Sequence, residues 1–202
     1  MLAKIHRALL PLDITDGADA VTTETQRRAA VLLPFVKRPM RDGSGGWHLL
    51  YTQRPETMPN HAGQISFPGG KVEAGETALE AALRETEEEV GLRADALTPI
   101  GRLPSFDAAG TFRVTPFAAL VDPDAEVVID AHEVAEAFEV PIDFLMDPAN
   151  HESRRQTWGE RTYDVWYMPY TGPDGVFRNI WGMTAGMTRR VYDRGFRDAD
   201  AA

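Results

Sequence analysis

The sequence predicts an α/β or α+β sandwich in which a mixed β-sheet carries two or three helices. Three observations lead there. Short β-rich runs alternate with turn-forming segments along much of the 202-residue chain. One alanine- and glutamate-rich stretch, residues 78–90, has helical spacing and a clear start and stop. Hydrophobic residues make up 43% of the chain, which suits one domain with a sizeable core, and no break in composition marks a second.

The elements follow in order. A short helix is expected at residues 3–10, before a loop around Gly17. Residues 28–36 (RAAVLLPFV) and 47–52 (WHLLYT) read as a strand pair across the turn-like RPMRDGSGG. A Pro- and Gly-dense stretch, residues 55–70, leads into the helix at 78–90, which Gly91 closes. Further strands are expected at residues 97–103 and 113–121. Residues 135–140 fit either strand or helix, and 142–146 a helical turn. TWGERTYDVWYM reads as a hairpin turning near Gly159-Glu160, and a last helix is expected from about Thr184 to about Arg194. In these terms residues 1–27 form an N-terminal extension, 28–195 the domain and 196–202 a tail.

Charge and composition exclude several functions. Lys and Arg number 21 against 31 Asp and Glu, a net charge of −10, the wrong sign for binding nucleic acid through a basic surface. With no cysteine, the chain has no disulfide, thiol catalysis or zinc–thiolate site, in keeping with a reducing cytoplasm. No apolar run approaches the roughly 18 residues of a membrane span, and none near the N-terminus suits a signal peptide. The expectation is a soluble cytoplasmic protein. His48, His132 and His151 are too scattered for a zinc site.

The helix at 78–90 carries the chemistry. Thr77-x-x-Glu80 is a capping box. At ~100° per residue, Leu79, Ala82, Leu83, Thr86 and Val90 share the sector that should face the core. Glu85, Glu88 and Glu89 line its border, at i, i+3 and i+4. An acidic helix edge is more often a solvated face. Here the three carboxylates repel one another, and Arg84, reaching Glu80 and Glu88, relieves only part of that; a hard divalent cation relieves the rest. Phe67-Pro68-Gly69-Gly70, six residues upstream, is a loop whose glycines admit close approach to a metal or phosphate.

Gly70, Glu76, Arg84, Glu85, Glu88, Glu89, Gly91 and Leu92 match every fixed position of G-x5-E-x7-R-E-U-x-E-E-x-G-U, with Thr86 where an aliphatic residue is usual. The sequence thereby resembles the Nudix hydrolases. That resemblance implies an α/β/α sandwich with a mixed β-sheet, and hydrolysis of nucleoside diphosphate derivatives with Mg2+ or Mn2+ as cofactor. It implies Glu88 and Glu89 as metal ligands, Glu85 as a further ligand or water-orienting group, and the Gly70 carbonyl as another ligand. Arg84 would hold the glutamates in place, and Glu76 would fix the loop.

Around the box, Leu49-Leu50-Tyr51-Thr52-Gln53-Arg54 and the run from His61 through Gln64 to Gly70 are similar to the segment that marks members cleaving coenzyme A. This chain departs from it at Tyr51, which lengthens the first piece by one, and at Pro59, where a second arginine is usual. EVAEAFEVP at 133–141 and IWGMTA at 180–185 extend the similarity, so that it covers roughly residues 28–195. Coenzyme A is the implied substrate, Thr52, Arg54, His61 and Gln64 the substrate-binding residues, and a homodimer the implied assembly. Glu133 fits the place of a general base on a loop after the box, with Glu136 second; a plain surface acid is the competing reading for Glu133. Trp158, Tyr163, Trp166, Tyr167 and Tyr170 have strand spacing and suit a core or interface better than an adenine stack. Two rival functions stand beside this one: a Nudix pyrophosphatase for ADP-ribose or a dinucleotide, and a Nudix domain kept only to bind a ligand.

Overall fold

The computed structural model describes residues 1–13, 27–39, 45–57, 62–108, 112–159 and 161–197. Its strands are β1 (Arg27–Pro39), β2 (Gly45–Gln53), β3 (Ile65–Ser66), β4 (Gly69–Lys71), β5 (Leu97–Arg102), β6 (Phe106–Ala108), β7 (Phe112–Val121), β8 (Glu136–Pro141), β9 (Glu152–Trp158), β10 (Arg161–Thr171) and β11 (Phe177–Trp181). The helices are α1 (Leu2–Ala8), α2 (Ala78–Val90), α3 (Ile142–Leu145) and α4 (Gly182–Gly195). Among the described residues, no helix is long and apolar enough to cross a membrane.

The main sheet runs β3-β2-β1-β7-β5, with β4 also on β1, β6 on β7 and β8 on β2. It is mixed, because β1 and β7 are parallel while the other pairs are antiparallel. Strand β1 alternates its side chains between two cores. Ala30 and Leu32 face α2 together with Leu50 and Phe117. Leu33 and Phe35 face the opposite side, where α1, α4 and a second sheet, β11-β10-β9, complete the sandwich. The α/β sandwich with a mixed sheet is therefore the observed architecture.

Among the described residues the four α-helices lie where the short helix, the main helix, the helical turn and the last helix were expected, with ends shifted by one to two residues at α1 and α4. The ambiguous segment before Pro141 is strand β8, which registers on β2 from Glu136↔Gln53 to Pro141↔His48. The Gly-dense stretch holds two short strands, β3 and β4, that composition alone hides. Helices α1 and α4 cap each other: Arg7 donates to the Gly195 carbonyl (2.5 Å) and Arg194 to the Ala8 carbonyl (2.6 Å). Each guanidinium thus satisfies a carbonyl that the partner helix leaves open at its end.

Candidate active site

Helix α2 is held at both ends by its own sequence. Thr77 accepts the Glu80 N–H (3.2 Å), and the Glu80 carboxylate accepts the Thr77 N–H (2.7 Å). Gly91 ends the helix at φ +70°, a left-handed turn that other residues seldom adopt. The face turned to the sheet holds Ala81, Ala82, Thr86, Glu89 and Val90, with Leu79 and Leu83 half-buried at its margin. Compared with the expected core sector, the helix is rolled so that Glu89 lies inside it. Thr86 tolerates full burial because its hydroxyl donates to the Ala82 carbonyl (2.6 Å).

The carboxylates occupy different environments. A side chain at Gly70 would collide with the Glu85 carboxylate, so the glycine is what lets Glu85 lie against β4. Arg84 spans Glu76 (2.9 Å), Glu85 (3.1 Å) and Glu88 (3.0 Å), and also donates to the Lys71 carbonyl (3.2 Å). Glu80, expected to share Arg84, is instead spent on the helix cap. Glu76 accepts the Glu73 N–H as well (2.7 Å), which ties the loop before the helix to Arg84. Glu88 stays 55% exposed at the outer end of this network.

Glu89 is the outlier, only 5% exposed. It accepts the Gly69 N–H, yet its Oε2 is buried without a hydrogen-bond partner. Burial, and then the charge of Glu85, push its pKa up to about 8, against the opposing pull of Arg54. Burial raises Glu85 too, while Arg84 works the other way. The charge of Glu133 acts on both glutamates in the same raising sense.

Glu133 reaches this site through a turn hung from the end of α2. Val128 N–H donates to the Val90 carbonyl and Asp130 N–H to the Glu89 carbonyl, each at 3.0 Å. The Asp130 carbonyl in turn accepts the N–H groups of Glu133 (3.0 Å) and Val134 (2.9 Å). Across the site, Arg54 donates its backbone N–H to the Gln64 carbonyl (3.0 Å), and its side-chain Nε is buried without a partner.

A divalent cation fits this donor set, although not as three converging side chains: among the described residues, no group of three acidic or histidine side chains is arranged around a metal position. The fit rests on the orphaned, buried Glu89 Oε2 beside Glu85. A buried carboxyl oxygen without a partner, beside a second carboxyl group, is what a hard cation would satisfy. Glu85 and Glu89 are the side chains that would hold the ion from within, next to the backbone of Gly69 and Gly70, with Glu88 at the margin.

The NUDIX domain family profile matches residues 26–161. A relative from Klebsiella pneumoniae subsp. pneumoniae, named as an uncharacterized Nudix hydrolase NudL, is 36% identical over 170 residues, covering 82% of this chain and 81% of its own. The NudL of Cronobacter sakazakii is 37% identical over 170 residues, with the same shares covered. The chain belongs to the Nudix hydrolase family. Among solved structures, a MutT/nudix family protein from Enterococcus faecalis superposes with a TM-score of 0.57 at 13% identity, over 86% of this chain and 63% of that one. The protein DR0079 from Deinococcus radiodurans does so with 0.52 at 18% identity, over 85% and 88%. At such identities these two likenesses speak for the fold alone.

Of the residues singled out in the sequence, the fold gathers Gly70, Arg84, Glu85, Glu89, Arg54 and Glu133. Thr52 is buried in the β2–β3 pairing, its hydroxyl bonded to the Ser66 hydroxyl (3.1 Å). Gln64 supplies its carbonyl to Arg54. Glu136 is held by Arg178. His61 and Pro59 lie outside the described residues. Trp166 and Tyr170 belong to the core, and Tyr167 stacks on Trp181. Sequence reasoning missed Gly69 as a donor to Glu89, Asp130 as the anchor of the Glu133 turn, and Arg178.

Proposed function

We propose that this Nudix hydrolase cleaves the diphosphate of coenzyme A, giving 4′-phosphopantetheine and adenosine 3′,5′-bisphosphate. The observation that carries a catalytic reading, rather than a binding module, is the buried Glu89 with its unpartnered oxygen beside Glu85 and Glu133. A site that only bound nucleotide would gain nothing from burying a carboxyl group with an unpartnered oxygen. For the substrate, the support is Arg54, adjacent to Glu89 and joined to Gln64, within a segment similar to that of coenzyme A-cleaving members.

Magnesium or manganese, when bound, would neutralise the diphosphate and favour ionisation of the attacking water. The chain's residues supply the rest. Glu133 takes a proton from the water as its oxygen adds to phosphorus, and the bridging P–O bond breaks toward the leaving phosphate. Arg54, close to Glu89, holds a phosphate oxygen. Arg84 keeps Glu85 and Glu88 in place without itself meeting the substrate, because its donors are already shared among three carboxylates and a carbonyl.

The test is product analysis with purified protein, magnesium and equal concentrations of coenzyme A, ADP-ribose and NADH. Coenzyme A is expected to give the largest kcat/KM, with the two products above. A larger value for ADP-ribose or NADH would reassign the substrate, and no turnover of any of the three would favour the binding module.

A further inference from the structure

Arg178 is buried and fully engaged, far along the chain from the Nudix box. Only 5% of its side chain is exposed. It donates from Nε and Nη2 to the Glu136 carboxylate (Nε to Oε2, 3.1 Å) and from Nη1 and Nη2 to that of Asp174 (3.1 and 2.6 Å). Its guanidinium lies over the Phe138 ring, 4.7 Å from the centroid. A side chain at Gly172 would press on Arg178 and Asp174, so the turn is built around this pair. A guanidinium with two carboxylates and an aromatic face has no donor to spare for a substrate.

What it grips is informative. Arg178 belongs to the second sheet and Glu136 to the first residue of β8 in the main sheet. The segment carrying Glu133 is suspended between two fixed points: the Asp130 N–H on the Glu89 carbonyl, and the Ala135 N–H on the Gln53 carbonyl (2.8 Å). Glu136 follows directly, and the clamp ties that end to the second sheet as well.

We propose that Arg178 is a positioning residue: by fixing Glu136 it sets the aim of Glu133 toward the box carboxylates. Glu136 is then the anchor of the base's segment rather than a second base. This inference rests on the reading of Glu133 as the base. A clamp serving the fold alone would lower the melting temperature but leave kcat per folded molecule unchanged. A positioning clamp lowers kcat, and does so only while Glu133 is present.

The experiment is a double-mutant cycle with magnesium and coenzyme A, and with folded protein quantified. Arg178→Lys keeps the charge but loses the planar fork. Glu136→Gln weakens the other half of the clamp at a partly exposed carboxylate, and serves if Arg178→Lys fails to fold. Each single variant is expected to lower kcat about tenfold to a hundredfold, the range a small misplacement of a reacting group produces, with KM changed less than about threefold. In a Glu133→Gln background neither should lower kcat further. Falls that multiply independently of Glu133, or single variants with unchanged kcat, overturn the inference alone. Near-normal turnover of Glu133→Gln by itself overturns the base reading, and the inference with it.

Discussion

Replacing Glu89 by glutamine separates the energetic burden of the site from its catalytic use. The carboxylate is 5% exposed, with a pKa raised from 4.5 to about 8. Because the folded-state value is raised, Glu89 costs no stability below about pH 4.5 and costs progressively more as pH climbs toward 8. At neutral pH that cost spans roughly 2.5 pH units at about 1.4 kcal/mol each, or about 3 kcal/mol. Glutamine carries no charge and can still accept the Gly69 N–H. In EDTA, Glu89→Gln is therefore expected to be about 3 kcal/mol more stable than the parent at neutral pH, and nearly equal to it near pH 5. Urea unfolding at the two pH values reads this directly. Magnesium should stabilise the parent far more than the variant. With magnesium and substrate, kcat should fall ~10²–10³-fold, as on removal of one electrostatic stabiliser. Equal stability at both pH values would refute the buried-carboxyl argument, and near-normal turnover would refute the catalytic one.

Two further outcomes follow from the same geometry. Gly70→Ala places a methyl group against the Glu85 carboxylate; the side chain can swing aside, so the protein should fold with Tm within a few degrees of the parent, while kcat drops about a hundredfold in a steady-state assay. Asp174, held at a pKa of about 2 by the hydrogen bonds from Arg178, has a depressed folded-state value, so its contribution to stability is present above about pH 4 and is lost as pH falls toward 2. Asp174→Asn should accordingly melt below the parent at neutral pH, and the gap should close as the scan is repeated at lower pH; a gap that persists at pH 2 would contradict the ion-pair account.

The parts of the fold legible in the sequence are those fixed by local chemistry. Thr77, Glu80 and Gly91 mark the ends of α2 to the residue, because caps are short-range. The inward place of Glu89 on the same helix was not legible, because it depends on packing against β4, whose partner β1 lies far away in the chain. Strand β8 was ambiguous because EAFEV suits either period, and its pairing with β2 decides the matter. The box glutamates could be picked out from helical spacing, and the roles of Arg84 and Arg54 from the resemblance to Nudix hydrolases. Arg178 could not, since its partner Glu136 lies 42 residues away; the only local hint is Asp174 four residues before it, in a Gly-Pro-Asp-Gly turn.

The family match ends at residue 161 and begins at 26, yet the core does not respect those limits. Ile5, Ala8 and Leu9 of the N-terminal segment, and Met168, Ile180, Met187 and Val191 beyond the match, are buried in the core on one side of the main sheet. A fragment trimmed to the matched residues would keep every box glutamate and still present Leu33, Phe35, Leu49 and Tyr51 to water. At about 25 cal/mol for each Å² of apolar surface, such a face is a strong drive to associate. The minimal catalytic motif and the minimal foldable unit of this protein are therefore different lengths of chain, and the reciprocal grip of Arg7 and Arg194 is where the longer one closes on itself.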